Sequence, residues 1–221
     1  MTPMLEKDYP LEAAILAKLL GFTYAGTLPA YLNSIYAVTE AKWEENVQRL
    51  VKNNSHIKYL MIGEAAPETL GGEVSYFYNN CHGNWCKAIV DGIIPWHQVP
   101  TNTEAKLEEL AKRHFLLADT MPFAINYSMN NCRSKRAYTE LVKMCTHNYL
   151  RKKLFDQRLK WAENVKVAFG VKRNAVAMME AFPGGFILPN GQSVRVSLDL
   201  VATTEANYPH ADRVRKVFEL K

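Results

Sequence analysis

Residues Tyr59-Leu60-Met61-Ile62-Gly63-Glu64-Ala65-Ala66-Pro67 decide the fold. The apolar run Ile57–Ile62 lacks clean polar alternation, so it reads as a strand covered on both faces, as in a parallel sheet. The run breaks at Gly63, where the backbone can turn sharply. The small side chains of Ala65 and Ala66 leave space for a ligand against main-chain amides. A buried strand that opens into such a loop forms one wall of a strand-end site.

Three more short runs rich in β-formers lie downstream: Phe115–Ala118, Val165–Phe169 and Leu198–Ala202. Helical patterns separate them. Glu104–Arg113 follows Thr103 as N-cap, Ser134–Leu150 carries Ala137, Leu141, Met144 and Cys145 on one side, and Arg173–Ala181 stops at Pro183-Gly184-Gly185. Leu11–Leu20 and Thr39–Val51, the latter capped by Thr39, read as helices ahead of the first strand. Phe186–Leu188 and Val194–Val196 flank Asn190-Gly191, a hairpin signal. Strands alternating with helices imply crossover connections and a mainly parallel sheet. The expected organisation is a single α/β domain over residues 1–221, with a helical N-terminal part (1–55) and an α/β core (56–221). Its site is expected on the loops Gly63–Asn84, Asp119–Asn131, Gly170–Asn174 and Thr203–His210.

At 221 residues with 48% hydrophobic and 22% charged content, the chain has the composition of an ordinary globular protein. It shows neither repeat nor low-complexity linker. The first residues lack the basic-then-apolar pattern of a secretory signal, and no apolar run approaches the length of a membrane span. Cys81, Cys86, Cys132 and Cys145 have no zinc-type spacing, which predicts reduced thiols, no metal and a cytoplasmic location. Between Cys132 and Arg173 stand twelve basic residues against three acidic ones, a net +9 within a chain of net +5. Such a stretch is either a phosphate-binding face or a solvated helix surface.

The loop Tyr76-Phe77-Tyr78-Asn79-Asn80-Cys81-His82-Gly83-Asn84-Trp85 interleaves aromatic rings with amides. Rings stack on a planar base and amides read its polar edge; Trp85 reads more simply as core. Together with Gly63–Pro67 and the segment Val201-Ala202-Thr203-Thr204-Glu205-Ala206-Asn207, followed by Pro209-His210, this ordered set resembles the uracil-DNA glycosylase superfamily, closest to its hypoxanthine and mismatch branches.

The resemblance implies a three-layer α/β/α fold around a four-stranded parallel sheet. It also implies a cofactor-independent, monomeric enzyme that flips a damaged or deaminated base out of single- or double-stranded DNA and hydrolyses its N-glycosidic bond. Such a protein would reside in the nucleus or nucleoid when bound to DNA. Glu64, Asn80 and His210 are the implied catalytic residues. Ala65, Phe77, Tyr78, Asn79, Asn84 and Asp119 would bind the base, and Thr203, Thr204, Lys172, Arg173 and Arg213 would contact DNA.

Three departures from the family pattern stand out. Ala65 or Ala66 occupies the position of the expected aspartate, Pro209-His210 reverses the usual order, and Asp119 stands where an asparagine reads uracil. An amide offers a donor and an acceptor, whereas an ionised carboxylate only accepts. Asp119 therefore suits a base edge with two donors, or else simply caps the turn at Thr120–Pro122. Two alternatives follow: a nucleic-acid-binding member of the fold that has lost hydrolysis, and a hydrolase of small nucleosides.

Overall fold

Strand β1 (His56–Gly63) is the middle of a three-stranded parallel sheet, between β2 (Phe115–Asp119) and β3 (Lys160–Phe169), in a computed structural model. The structure describes residues 4–20, 28–67, 73–81, 83–124, 134–203 and 209–220. All five residues of β2 are buried, as are Leu60, Met61, Ile62 and Gly63 at the end of β1, in keeping with the unbroken apolar runs. The register sets Tyr59 opposite Phe115 and Gly63 opposite Asp119, so the two strands end together.

Nine helices surround this sheet among the described residues: α1 (Leu5–Asp8), α2 (Pro10–Leu20), α3 (Ala30–Lys52), α4 (Gly83–Ile93), α5 (Thr103–Lys112), α6 (Lys135–Cys145), α7 (Arg151–Leu154), α8 (Lys172–Ala181) and α9 (Ala211–Phe218). A π-helical turn, Thr146–Leu150, joins α6 to α7. α5 packs against β2, α9 against β3 and α4, and α8 against β3 and α6. The hairpin is present as β4 (Phe186–Ile187) paired antiparallel with β5 (Ser193–Val194).

The fourth run does not become a strand. Leu198–Leu200 is a turn of 3₁₀ helix, and only Val201 bridges to Phe169, in the parallel sense. The Ala202 amide then donates to the Phe169 carbonyl at 2.8 Å. Two helix starts also differ from expectation. α3 begins at Ala30, so Thr39 lies inside it and its hydroxyl donates back to the Tyr36 carbonyl at 2.9 Å instead of capping. α5 is capped by Asn102, whose Oδ1 accepts from the Ala105 amide at 2.8 Å, one residue ahead of Thr103. Ser134 caps α6, its Oγ accepting from the Ala137 amide at 3.2 Å.

The N-terminal helices join the rest of the molecule through polar contacts rather than apolar ones alone. Arg49 on α3 makes a bidentate pair with Glu104 on α5, at 2.8 and 2.9 Å. Lys153 on α7 reaches Glu40 on α3 at 2.8 Å, its ammonium over the rings of Trp43 and Tyr149. No described helix is long and apolar enough to cross a membrane.

Candidate functional site

Beyond the ends of the strands lies a cavity of about 130 Å³. Glu64, Ala65, Ala66 and Pro67 come to it from the end of β1, Leu117 and Asp119 from β2, and Val171 from the turn after β3. Ser75, Tyr76, Phe77 and Asn80 line it from the aromatic loop, with Trp85 and Cys86 from the first turns of α4. The volume is below the few hundred Å³ usual for an enclosed drug-sized ligand, so it suits one ring of a larger molecule.

Two glycines make the walls possible. A Cβ on Gly63 would stand 2.0 Å from Asp119 Oδ1, so the carboxyl occupies the space that any other residue would fill. A Cβ on Gly170 would meet the Trp85 indole at 2.6 Å. Trp85 packs against the core as expected, its ring on Gly170 and edge-on to Phe77 at 6.1 Å between centroids, and it also borders the cavity. The Gly63 carbonyl accepts from the Thr120 amide (3.0 Å), the Thr120 hydroxyl (2.9 Å) and Asn174 Nδ2 (3.0 Å). Asn174, fully buried on α8, thus ties the end of β1 to a helix 111 residues away. Nothing in its local sequence marks that role.

The two carboxylates at the strand ends have opposite surroundings. Glu64 takes both prongs of the Arg173 guanidinium, at 2.8 and 2.6 Å, and accepts a hydrogen bond from the Tyr138 hydroxyl. Burial, reinforced by Glu64, pushes the Tyr138 phenol well above its ordinary range, so it stays a donor. The Asp119 carboxyl accepts no hydrogen bond from the described residues and borders the cavity. Burial raises its carboxyl from 3.8 to about 7, with Lys153 opposing the rise and Glu64 adding to it. Two polar atoms of other lining residues, Asn80 Oδ1 and Trp85 Nε1, are fully buried without a partner among the described residues. Burial likewise raises the Tyr76 phenol, with Asp119 adding to the effect.

Glu64, Ala65, Phe77, Asn80 and Asp119 therefore meet at one cavity, and the other expected residues stand elsewhere. Tyr78 is not a stacking floor. Its hydroxyl donates to the Leu117 carbonyl at 2.8 Å and accepts from the Leu117 amide at 2.7 Å, satisfying the open edge of β2. Asn79 Nδ2 is spent on the Val74 carbonyl at 2.8 Å, which folds the loop on itself. Asn84 is exposed in the first turn of α4 and does not line the cavity.

His210, also outside the lining, precedes α9 with its side chain 59% exposed and Nδ1 3.8 Å from Asp212. Arg213 turns inward to the carbonyls of Val201 (2.9 Å) and Asp199 (3.3 Å). Thr203 is buried and bridges Pro209. Lys172 is exposed at the start of α8, next to the lining residue Val171. Thr204 and His82 lie outside the described residues.

The basic stretch is not a uniform cationic face. Lys135, Lys153, Arg158, Lys166 and Arg173 are each ion-paired within the fold. The cysteines also differ from the expectation of separate thiols. Cys81 and Cys86, whose Cα atoms are 5.3 Å apart across the loop and the start of α4, are joined as a disulfide, while Cys145 is free and buried. Among the described residues no three His, Cys, Asp or Glu side chains gather as a metal site would require.

No family model, curated protein or solved structure matches the chain.

Proposed function

We propose that the chain is a DNA glycosylase-like protein of the uracil-DNA glycosylase type, whose strand-end cavity receives a base turned out of DNA. The finer architecture belongs to this reading: a three-layer α/β/α fold in which the Val201 bridge stands for a fourth parallel strand. The observation that carries it is the Asp119 carboxyl, buried at the end of β2 without a partner among the described residues, in a cavity with Phe77, Tyr76 and Trp85 beside it. Isolated buried carboxylates are costly, and an incoming partner with N–H donors relieves that cost. A cavity for one ring, with Lys172 exposed near its rim, fits a base inside and its phosphates outside.

Ionised Asp119 accepts from two donors, as on the N1–H and N2–H₂ edge of a guanine-like base. Protonated, it offers one donor and one acceptor, like the amide it replaces, and suits a uracil-like edge. Its value of about 7 places both states in reach of neutral pH and also within the useful range of a general acid or base.

A second reading is favoured by the state of Glu64. With both oxygens held by Arg173 and Tyr138, that carboxylate is not free to activate water. A base-binding protein without hydrolysis would look the same. Duplexes carrying uracil, hypoxanthine, xanthine or mismatched thymine, incubated with the protein and then treated with alkali, separate the two. Strand cleavage at one lesion is the outcome expected of the enzyme. Binding that weakens steeply with salt, without cleavage, supports the binder. Neither cleavage nor salt-sensitive binding across the panel would overturn both.

A further inference from the structure

A second, larger cavity lies far along the chain from the strand-end loops, between the helical segment Thr146–Leu154 and the β4–β5 hairpin. Its volume is about 480 Å³, inside the range of sites that enclose small ligands. Leu150 and Leu154 form one wall, and Phe182, Phe186 and Ile187 the other. Ile187 is 64% exposed and Phe155 at the mouth is 42% exposed, so apolar surface there meets water that a ligand would displace.

Arg151 is the one charged residue among the described residues of the lining. No acidic residue borders the cavity, while His147 and Arg151 do. The Arg151 guanidinium sits 5.0 Å from the centre of the Phe155 ring, and the His147 ring meets Phe182 edge-on at 5.3 Å. Neither side chain has a hydrogen bond or carboxylate partner among the described residues, although five cations of the same stretch are paired. The π-helical turn Thr146–Leu150 falls at this wall, with the Thr146 hydroxyl donating to the Val142 carbonyl at 2.7 Å. Such turns are rare and recur at functional sites. Since the Thr146 donor is occupied, His147 and Arg151 are the polar groups that remain for a ligand.

We infer that this groove binds a small apolar anion, its hydrocarbon part between Leu154 and Ile187 and its negative group at Arg151, with a medium-chain carboxylate as the simplest example. The apolar walls select the tail and the unpaired Arg151 guanidinium selects the charge. The site is independent of the strand-end cavity and stands whether or not that cavity takes a base.

Calorimetric titration of the full chain with decanoate and with decanol tests this. Decanoate is expected to bind once per chain and decanol at least several-fold more weakly. Arg151→Gln should weaken decanoate roughly fivefold, the size of an exposed ion pair, and leave decanol unchanged. Ile187→Glu should abolish decanoate binding by placing a carboxylate against the tail. Both positions are exposed, so the variants keep the fold, which circular dichroism checks. Failure of wild type to bind decanoate would overturn the proposal, and so would equal affinities for the two ligands or binding unaffected by Ile187→Glu. Self-association of wild type that Ile187→Glu removes, without decanoate binding, would assign the groove to a second copy of the chain instead.

Discussion

Glu64 and Asp119 end neighbouring strands, border the same cavity and are almost equally buried, at 5% and 9% exposure, yet they are prepared for different work. Glu64 is neutralised by a bidentate arginine and a tyrosine hydroxyl. Asp119 faces the cavity with no partner among the described residues, and its nearest influences are a buried lysine that favours its charge and Glu64 that opposes it. Burial alone therefore does not define a carboxylate's role. The donors that reach it do, and here a saturated acid braces the wall that holds an unsaturated one.

The contrast can be broken most strongly at Asp119. Its folded-state value of about 7 lies above its ordinary 3.8, so the native state keeps a proton that the unfolded chain releases. Stability from this group is full below pH 4 and is lost as pH rises towards 7. Asp119→Asn should thus match wild type near pH 4 and exceed it at pH 8 by on the order of 4 kcal/mol at most, since each tenfold change in proton affinity is worth about 1.4 kcal/mol. Urea denaturation at the two pH values measures this; a pH-independent difference would mean that the carboxyl is solvated or paired.

The opposite result is expected on the Glu64 side. Arg173→Ala leaves a buried carboxylate without its cation and should lower stability by about 3 kcal/mol at pH 7, again measured in urea. Glu64→Gln in the same background should recover part of that loss, since it removes the stranded charge.

The two halves of the comparison meet at Gly63, whose missing Cβ gives the Asp119 carboxyl its place. Gly63→Ala should cost about 2 kcal/mol through crowding. A double-mutant cycle should show a smaller cost in the Asp119→Ala background, and additive effects would mean that the carboxyl moves aside freely. The smallest effect is expected at His210, exposed and away from both acids. His210→Ala should change stability by less than about 0.5 kcal/mol, as judged by thermal denaturation.

Much of the fold is legible in the chain. β1, β2 and β3 can be read because Leu60–Ile62, Phe115–Ala118 and Val167–Phe169 supply the short apolar runs that buried parallel strands need. Leu198–Ala202 has the same composition in outline, but Asp199 interrupts it and the segment turns as a 3₁₀ helix before one bridge at Val201. α4 is not legible because Gly83-Asn84-Trp85-Cys86 looks like loop, and its place depends on packing against α9. At the site, Glu64, Ala65, Phe77, Asn80 and Asp119 can be found from their position after strands or in the aromatic loop. Tyr78 cannot be told from its neighbours, since its task is set by the edge of a strand 39 residues away.

Residue order by itself determined the strands, the break at Gly63 and the presence of two acids after strand ends, because these rest on local propensity and on hydrophobic pattern. Only the tertiary structure decided which acid is paired. Arg173 stands 109 residues from Glu64 and Tyr138 stands 74 residues from it, and the packing of α6 and α8 beside the sheet brings both to one carboxylate while leaving the other open. A carboxylate's charge state depends on the donors and the dielectric around it, and both are properties of the folded assembly of elements.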